Sequence, residues 1–483
     1  MVEFKYYIFF LGTGFALLLA VGAAMSEKIA KWAFAGFLLS TMYMVDINFM
    51  SHEWYRGSTR GFEFSTSDLL LIVLLGLVLV RHFVSHQNES QTEWLPVGSI
   101  PFLMFIGVAG LSLSKAHYPL FGMFELSKLI KGYLIFWSIG NLAQGADFRR
   151  VAFGSLCLVV IVEVGYGAFQ HFSGVYRIQG SLGHPNSYAM YLNMLIPIML
   201  AAALRMPDWR KQFLLLGLVA GGAASVIVTF SRGGWMALFL ALVCVCVLSI
   251  RQDFSFRNGM VIAIACVLCL GLILKAMPRM IERWTDAPER SLYSRLQMNQ
   301  AGYLMVSQSP WIGIGINNSA AWFADKEKEI RKNTLQGPNM FDFLLGSLQL
   351  SNEKLEQEIT PVLYVENGVL IHNIYIVTAA ETGIVGCALF IFLGIRFLFV
   401  SGRLAIQKQT SEMSWWVIGI FCAFLAVYVQ GLAEWEMRQT PLWYLFCALA
   451  GLLIGQMQLN KYANTQNIGL SMKGYQGEVS FVS

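Results

Sequence analysis

Three short stretches of this chain carry side chains able to act on an anionic substrate. The first, Thr229-Phe230-Ser231-Arg232-Gly233-Gly234-Trp235, lies between two long apolar runs, Phe213–Val228 and Met236–Ile250. An arginine costs roughly 2.5–3.5 kcal/mol at the centre of a bilayer helix, so one kept in a turn at an apolar boundary calls for an anion. The two glycines allow close backbone approach and leave N–H groups open at a helix start. The guanidinium is a planar fork that takes two phosphate oxygens at once, and Ser231 supports the turn. The plainer alternative is an arginine snorkelling to lipid headgroups.

The second stretch is Tyr176-Arg177-Ile178-Gln179-Gly180-Ser181-Leu182-Gly183-His184-Pro185-Asn186-Ser187. Its glycines and proline predict a turn, and Asn186 or Ser187 suits the cap of the next helix. Arg177 and His184 add a cation and a titratable ring, against the alternative of a capped turn with a solvated histidine. The third runs from Glu366-Asn367-Gly368 through His372-Asn373-Ile374-Tyr375 to Ala380-Glu381-Thr382-Gly383. An imidazole with an ordinary pKa of about 6.5 is the natural proton acceptor at neutral pH, and His372 stands at the mouth of an apolar helix. Asn373 adjoins it. Glu381 lies about two turns deeper, placed to orient a neighbour or to pair with an arginine. Arg295 supplies a further guanidinium, with Arg279, Arg283 and Arg290 nearby; a solvated helical face is the alternative there.

The elements that must hold these residues are helices in lipid. The chain is 56% hydrophobic and only 13% charged, with mean hydropathy +0.57, against about 25% charged in soluble domains. The reading is an all-α polytopic membrane protein. At about 20 apolar residues per span, candidate runs lie near 6–25, 29–50, 68–86, 97–114, 119–141, 151–172, 188–204, 212–230, 235–250, 258–277, 373–400, 414–432 and 441–457. That gives about 12–13 transmembrane helices, with a large helical loop between the tenth and eleventh. The expected organisation is an N-terminal block (1–150), a core block whose loops carry the motifs (151–277), the hydrophilic loop (278–372), C-terminal helices (373–457) and a polar tail (458–483). The first run is too long for the apolar region of a signal peptide and has only Lys5 before it.

Within the loop, Arg290–Ser307 has helical spacing and ends before Pro310 and Gly313. Asp325–Lys332 is highly charged and Met340–Ile359 partly amphipathic. A loop of this length is more often functional than filler, and we expect a helical cap. Placing it outside puts Lys28, Arg81, Arg149, Arg150, Arg205 and Arg210 inside, as the positive-inside rule favours. All three motif stretches then share the outer face, and the tail is cytoplasmic. Glu125, Lys128 and Lys131 read either as an interfacial helix with snorkelling lysines or as a polar wall facing a cavity.

Other chemistries lack their residues. There is no Asp-x-Asp pair and no Gly-x-x-x-x-Gly-Lys-Ser/Thr loop for ATP. No Cys/His cluster suggests zinc, and no metal or cofactor is expected. The eight cysteines lie in apolar runs, including Cys266 and Cys269, and read as small packing residues. No basic stripe interleaved with aromatics points to nucleic acid. Tyr55-Arg56-Gly57-Ser58-Thr59-Arg60-Gly61 is a polar insert that no motif explains.

Taken in order, Gly-His-Pro-Asn, Thr-Phe-Ser-Arg-Gly-Gly-Trp, Pro-Trp-Ile-Gly-Ile-Gly and His-Asn-x-Tyr with Ala-Glu-Thr-Gly resemble the O-antigen ligase and polymerase superfamily over roughly residues 175–400. The resemblance implies a glycosyltransferase of the bacterial inner membrane with its active site facing the periplasm. The implied donor is a glycan on undecaprenyl diphosphate and the implied ligase acceptor a sugar hydroxyl of lipid A-core, with no need for metal or ATP. By similarity Arg232 and Arg295 hold the diphosphate and His372 activates the acceptor; from the motifs themselves Arg177 is a further candidate for the diphosphate, and His184, Asn186, Ser231, Asn373 and Glu381 are candidate supporting residues. One base without a convincing carboxylate pair favours inversion. Related members polymerise repeat units or glycosylate proteins, and a carrier for inorganic carbon is the reading from another class. A carrier favours a mid-membrane site, whereas these charges gather at one interface.

Overall fold

The computed structural model describes residues 2–55, 57–84, 92–252, 288–323, 371–407 and 414–458, with Asp325 and isolated positions between 255 and 281. The expected run 258–277 with its Cys266–Cys269 pair, Arg279, Arg283, the 326–370 part of the loop with Glu366-Asn367-Gly368, and the tail after Gln458 lie outside these residues, as does Arg56.

The protein is a helical bundle: α1 (Val2–Met25), α2 (Glu27–Ser40), α3 (Thr66–Val84), α4 (Ser99–Ser112), α5 (Pro119–Leu142), α6 (Ala146–Phe172), α7 (Pro185–Arg205), α8 (Trp209–Val228), α9 (Arg232–Gln252), α10 (Pro288–Gln308), α11 (Ile374–Ile406), α12 (Ser414–Gln430) and α13 (Thr440–Gln458). Among the described residues, eight of these helices are long and apolar enough to span a bilayer, and α4 and α12 are shorter apolar helices. Helices are favoured because a backbone in hydrocarbon must satisfy its own N–H and C=O groups. Lipid takes the outer faces: on α1, Phe4, Phe10, Leu11, Phe15 and Leu18 all stand exposed.

At the centre stands α7, whose apolar window is buried throughout. It packs against α8, α9 and α12. Gly419 of α12 lies so close to α7 that a Cβ there would come within 2.6 Å of the Ile198 backbone. A small residue at a helix crossing is the usual means of bringing two membrane helices together.

One expectation is corrected. The run 29–50 does not continue as a single helix: α2 stops at Ser40, where Thr41 Oγ1 donates to the Leu38 carbonyl at 2.7 Å. Beyond it, Asp46–Phe49 (β1) pairs antiparallel with Phe62–Ser65 (β2), Asp46 opposite Ser65 and Phe49 opposite Phe62. Asp46 and Asn48 alternate with Ile47 and Phe49, a period of two that suits a strand and spoils a helical face. The hairpin presents the unexplained polar insert to α5. There Tyr55 stacks on Phe121, with ring centroids 3.8 Å apart.

The expected loop helix is present as α10. After it, residues 310–315 dock edge-on against α11: Ile314 N–H donates to the Ala380 carbonyl (3.0 Å), Gly315 N–H to Glu381 (3.0 Å), and Ile384 N–H to Pro310 (2.7 Å). This docking requires a break in α11 at Gly383, which has φ 72° and ψ 178°. The stretch 384–406 beyond the break still meets the ~20 residues of a span.

Candidate active site

Each motif is built by local capping. The chain leaves α8 at Thr229, and Phe230 turns it with a left-handed φ of 54°. Ser231 caps α9: its Oγ accepts from Gly234 N–H at 3.3 Å, and its own N–H donates to Thr229 Oγ1 at 3.1 Å. Arg232 is therefore the first residue of α9, half-buried at the positive end of the helix dipole, where an anion is favoured. Asn193 of α7 holds this turn by donating to the Gly234 carbonyl at 3.0 Å.

The stretch before α7 ties onto the same turn. Arg177 Nε donates to the Thr229 carbonyl (2.9 Å) and Arg177 Nη2 to Asn186 Oδ1 (3.2 Å). The expectation that Asn186 or Ser187 caps α7 is corrected. His184 occupies the cap position with Pro185 following it, and no side chain caps there. Asn186 is occupied in gripping Arg177 instead.

At the third motif Asn373 caps α11, its Oδ1 accepting from Tyr375 N–H (2.9 Å) and Ile376 N–H (3.1 Å). Its Nδ2 donates to the Leu432 carbonyl at 2.9 Å. His372 is thereby aimed at the connection between α12 and α13, residues 431–439, which sequence reasoning passed over. Glu434 in that connection is buried and gathers two predicted residues. Arg295 Nη2 donates to its Oε1 at 2.8 Å, and His372 Nδ1 lies 3.1 Å from its Oε2. Arg295 Nη1 also donates to the Ala433 carbonyl at 3.1 Å. Gly233, next to Arg232, backs onto the same residue: a Cβ there would lie 3.9 Å from Glu434 Cγ. Two residues on, Glu436 Oε1 is 3.6 Å from His184 Nδ1. Arg177, His184, Arg232, Arg295 and His372 thus surround one short connection on one side of the bundle.

The electrostatics follow from burial and pairing. Burial pushes the Glu434 carboxyl upward, but the His372 hydrogen bond and the Arg295 charge outweigh it and hold the group below the usual carboxylate value. Glu436 lacks such partners, and burial together with the charge of Glu434 drives it well above the ordinary range. Burial also lowers His184, against the opposing pull of Glu434. The ligating atoms of His372, Glu434 and Glu436 lie within 4.8 Å of one another. Both oxygens of Glu434 already face nitrogen donors, so the cluster reads as an ionic network rather than a metal cage.

Glu381 joins a second network. Its carboxylate takes Arg438 Nη1 (2.7 Å), Asn317 N–H (2.7 Å), Ser319 Oγ (2.6 Å) and Ser319 N–H (3.2 Å). Arg438 Nε reaches Glu125 Oε1 at 3.3 Å, and Lys128 Nζ reaches Glu125 Oε2 at 2.7 Å. Ser58 and Thr59 of the polar insert also donate to Glu125. Of the two readings for Glu125 and Lys128, the buried polar wall is the one observed. Glu381 is thus a clamp for the 310–319 segment and is not brought to His372. Glu434 and Glu436 left only a faint trace in the sequence, two carboxylates and an arginine in a short connection between apolar runs.

A search of curated proteins finds no match to the chain. A family model described as O-Antigen ligase matches residues 216–342. That stretch holds the Arg232 turn, α9 and Arg295, while Arg177, His184, His372 and Glu434 lie outside it and reach it through the contacts above. Residues 216–342 of this multi-pass membrane protein are thus similar to the O-antigen ligase family.

Proposed function

We propose that the protein transfers a glycan from undecaprenyl diphosphate to an acceptor hydroxyl, with a lipid A-core sugar as the leading acceptor, at the periplasmic face of the inner membrane. The observation that carries this reading is the buried carboxylate of Glu434, shared by Arg295 and His372 beside the Arg232 turn. An ionised carboxylate only accepts hydrogen bonds, so His372 Nδ1 carries the hydrogen and Nε2 is left as the base. The acceptor O–H gives its proton to Nε2 as its oxygen attacks the anomeric carbon. The bond to the diphosphate breaks, and its electron pair stays on the phosphate oxygen.

Charge grows on that leaving group, and fixed donors aimed at it are worth more in a water-poor site than in solution. Arg232 at a helix start, Arg177 on the adjoining turn and Arg295 opposite supply them. Glu434 offsets the Arg295 charge and holds that guanidinium in place beside the Arg232 turn. With a single base the displacement is direct and inverts the anomeric centre.

The test is transfer by purified protein in nanodiscs from an undecaprenyl-diphosphate oligosaccharide to lipid A-core, with product configuration read by NMR. Product of inverted configuration is expected. Retained configuration overturns the direct displacement, and no transfer to any hydroxyl acceptor overturns the assignment. Chain extension on a second donor, or transfer to a protein hydroxyl, moves the acceptor to polymerase or protein-glycosylation type.

A further inference from the structure

Glu436 is fully enclosed, and neither of its carboxylate oxygens meets a hydrogen-bond donor among the described residues. Among the described residues, charged and titratable groups reach this corner from several elements, with the Arg232 turn of α9 packed behind Glu434. They are Glu434 on its own connection, His184 at the start of α7 with Arg177 behind it, Arg295 on α10 and His372 at the start of α11. Within 4.8 Å lies a second carboxylate, Glu434, which its partners Arg295 and His372 keep ionised. Two buried carboxylates this close do not both ionise without a large cost. A metal ion does not resolve the conflict, because it would have to displace the guanidinium from one Glu434 oxygen and the imidazole from the other. A proton resolves it: a neutral Glu436 has an O–H to give to Glu434, and the orphaned group and the like-charge contact disappear together.

We propose that Glu436 is held as a neutral carboxylic acid that donates its hydrogen bond to Glu434, and that it is a positioning residue which sets the basicity of His372 through that carboxylate. The second half rests on the glycosyl-transfer reading; the first does not. Glu434 divides its charge among three donors, the Arg295 guanidinium, the Glu436 hydroxyl and the His372 ring. If the hydroxyl is removed, more of that charge falls on His372, which then holds its proton to higher pH and is a base over a narrower range.

The experiment has two readouts. Infrared spectroscopy of the full-length protein in nanodiscs at pH 7 should show a carboxylic-acid carbonyl band that disappears in Glu436→Gln. This readout needs no substrate and remains informative if the transfer reaction is misassigned. The pH profile of transfer is then compared for wild type, Glu436→Gln and Glu436→Leu. The glutamine amide still donates to Glu434, so the acidic limb should stay where wild type has it. Leucine donates nothing, so its acidic limb should move toward higher pH. A missing band, together with an acidic limb shifted to lower pH in Glu436→Gln, would show that wild-type Glu436 is ionised and overturn the proposal. A band that vanishes in Glu436→Gln while Glu436→Leu keeps the wild-type limb would overturn its action on His372.

Discussion

Glu381 and Arg438 offer a sharp test of whether the second network is a matched set of charges. Glu125, Lys128 and Glu381 are almost wholly buried, and the Arg438 side chain is only 10% exposed. Two carboxylates face two cations, so the group is neutral as a whole. Glu381→Gln keeps one oxygen, enough for Asn317 on one side or Ser319 on the other but not both, and leaves one cation in excess. Arg438→Met leaves one carboxylate in excess. Breaking a buried pair by removing one partner costs about 3–5 kcal/mol, mostly through the charge left behind. Each single variant should lose that much. The double variant restores neutrality and should be no worse than either single variant, an interaction energy of at least about 3 kcal/mol. The assay is thiol labelling on heating in detergent, because Cys422 and Cys447 are buried and react only as the bundle opens. If the double variant opens at a midpoint lowered by the sum of the two single shifts, the charges act independently and the matched-set argument fails.

Gly383→Ala should be destabilising by more than the 1–3 kcal/mol of a left-handed non-glycine residue, since its Cβ would also fall 2.2 Å from the Trp311 carbonyl oxygen. Gly107→Ala, with open space around it, is the matched control and should melt like wild type. At the first network, Glu434→Gln should lose about 1.5–3 kcal/mol for a charged hydrogen-bond partner, while Glu436→Gln should be neutral or stabilising at pH 7; equal losses in thermal melts would contradict the opposite roles assigned to them. In Glu436→Gln, which lacks the carboxyl whose raised folded value makes acidification stabilising from pH 7 down to about 4.3, acidification should destabilise in two stages. Burial lowers His184, so its contribution is present above its unfolded value of about 6.5 and falls away as pH drops below it. Glu434 is also lowered, so its contribution persists to about 4.3 and is lost as pH falls through the lower folded value. A melting temperature flat from pH 7 to 5 would contradict the first stage. In the transfer assay, Arg232→Ala should cost about 10²–10³-fold as for a lost oxyanion donor, with Arg232→Lys little better because a point charge cannot copy the fork. His372→Gln should cost about 10²–10⁴-fold as for a lost general base, and wild-type rates for either residue would remove it from the site.

Much of the bundle was legible because lipid makes an apolar run nearly synonymous with a helix. The boundaries of α1, α3, α5 and α8 fall within a few residues of their runs. The exceptions have local causes. Residues 29–50 are apolar on average, and an average hides the two-residue alternation at Asp46–Phe49 that makes a strand. The Arg232 turn was readable because Ser-Arg-Gly-Gly carries its own capping chemistry. The Asn186 cap was misjudged because a side chain able to cap a helix is equally able to bind a guanidinium, and only Arg177's arrival decides between them. Glu434 was invisible for a different reason. A carboxylate in a short connection between apolar runs reads as solvated, and its meaning comes from α10 and α11, which reach it from 139 and 62 residues away along the chain.

Buried charge is also what binds the recognisable part of the chain to the rest. The family match ends at residue 342 and holds two of the cations, Arg232 and Arg295. Arg295 is only 29% exposed, and a cation so placed needs an anion at hand. That anion comes from the 431–439 connection, outside the match. The same connection supplies Arg438 to Glu381, which clamps the 310–319 segment and so fixes where α10 ends. Glu434 therefore holds Arg295 directly and Arg438 holds the far end of Arg295's helix, four residues apart on one short strap. A change that shifts this strap moves His372 and Arg295 together, whereas a change in the Arg232 turn leaves the His372–Glu434 pair standing. The cluster is thus one unit, the strap with α10 and His372, set against a second built from the Arg177 and Arg232 turns.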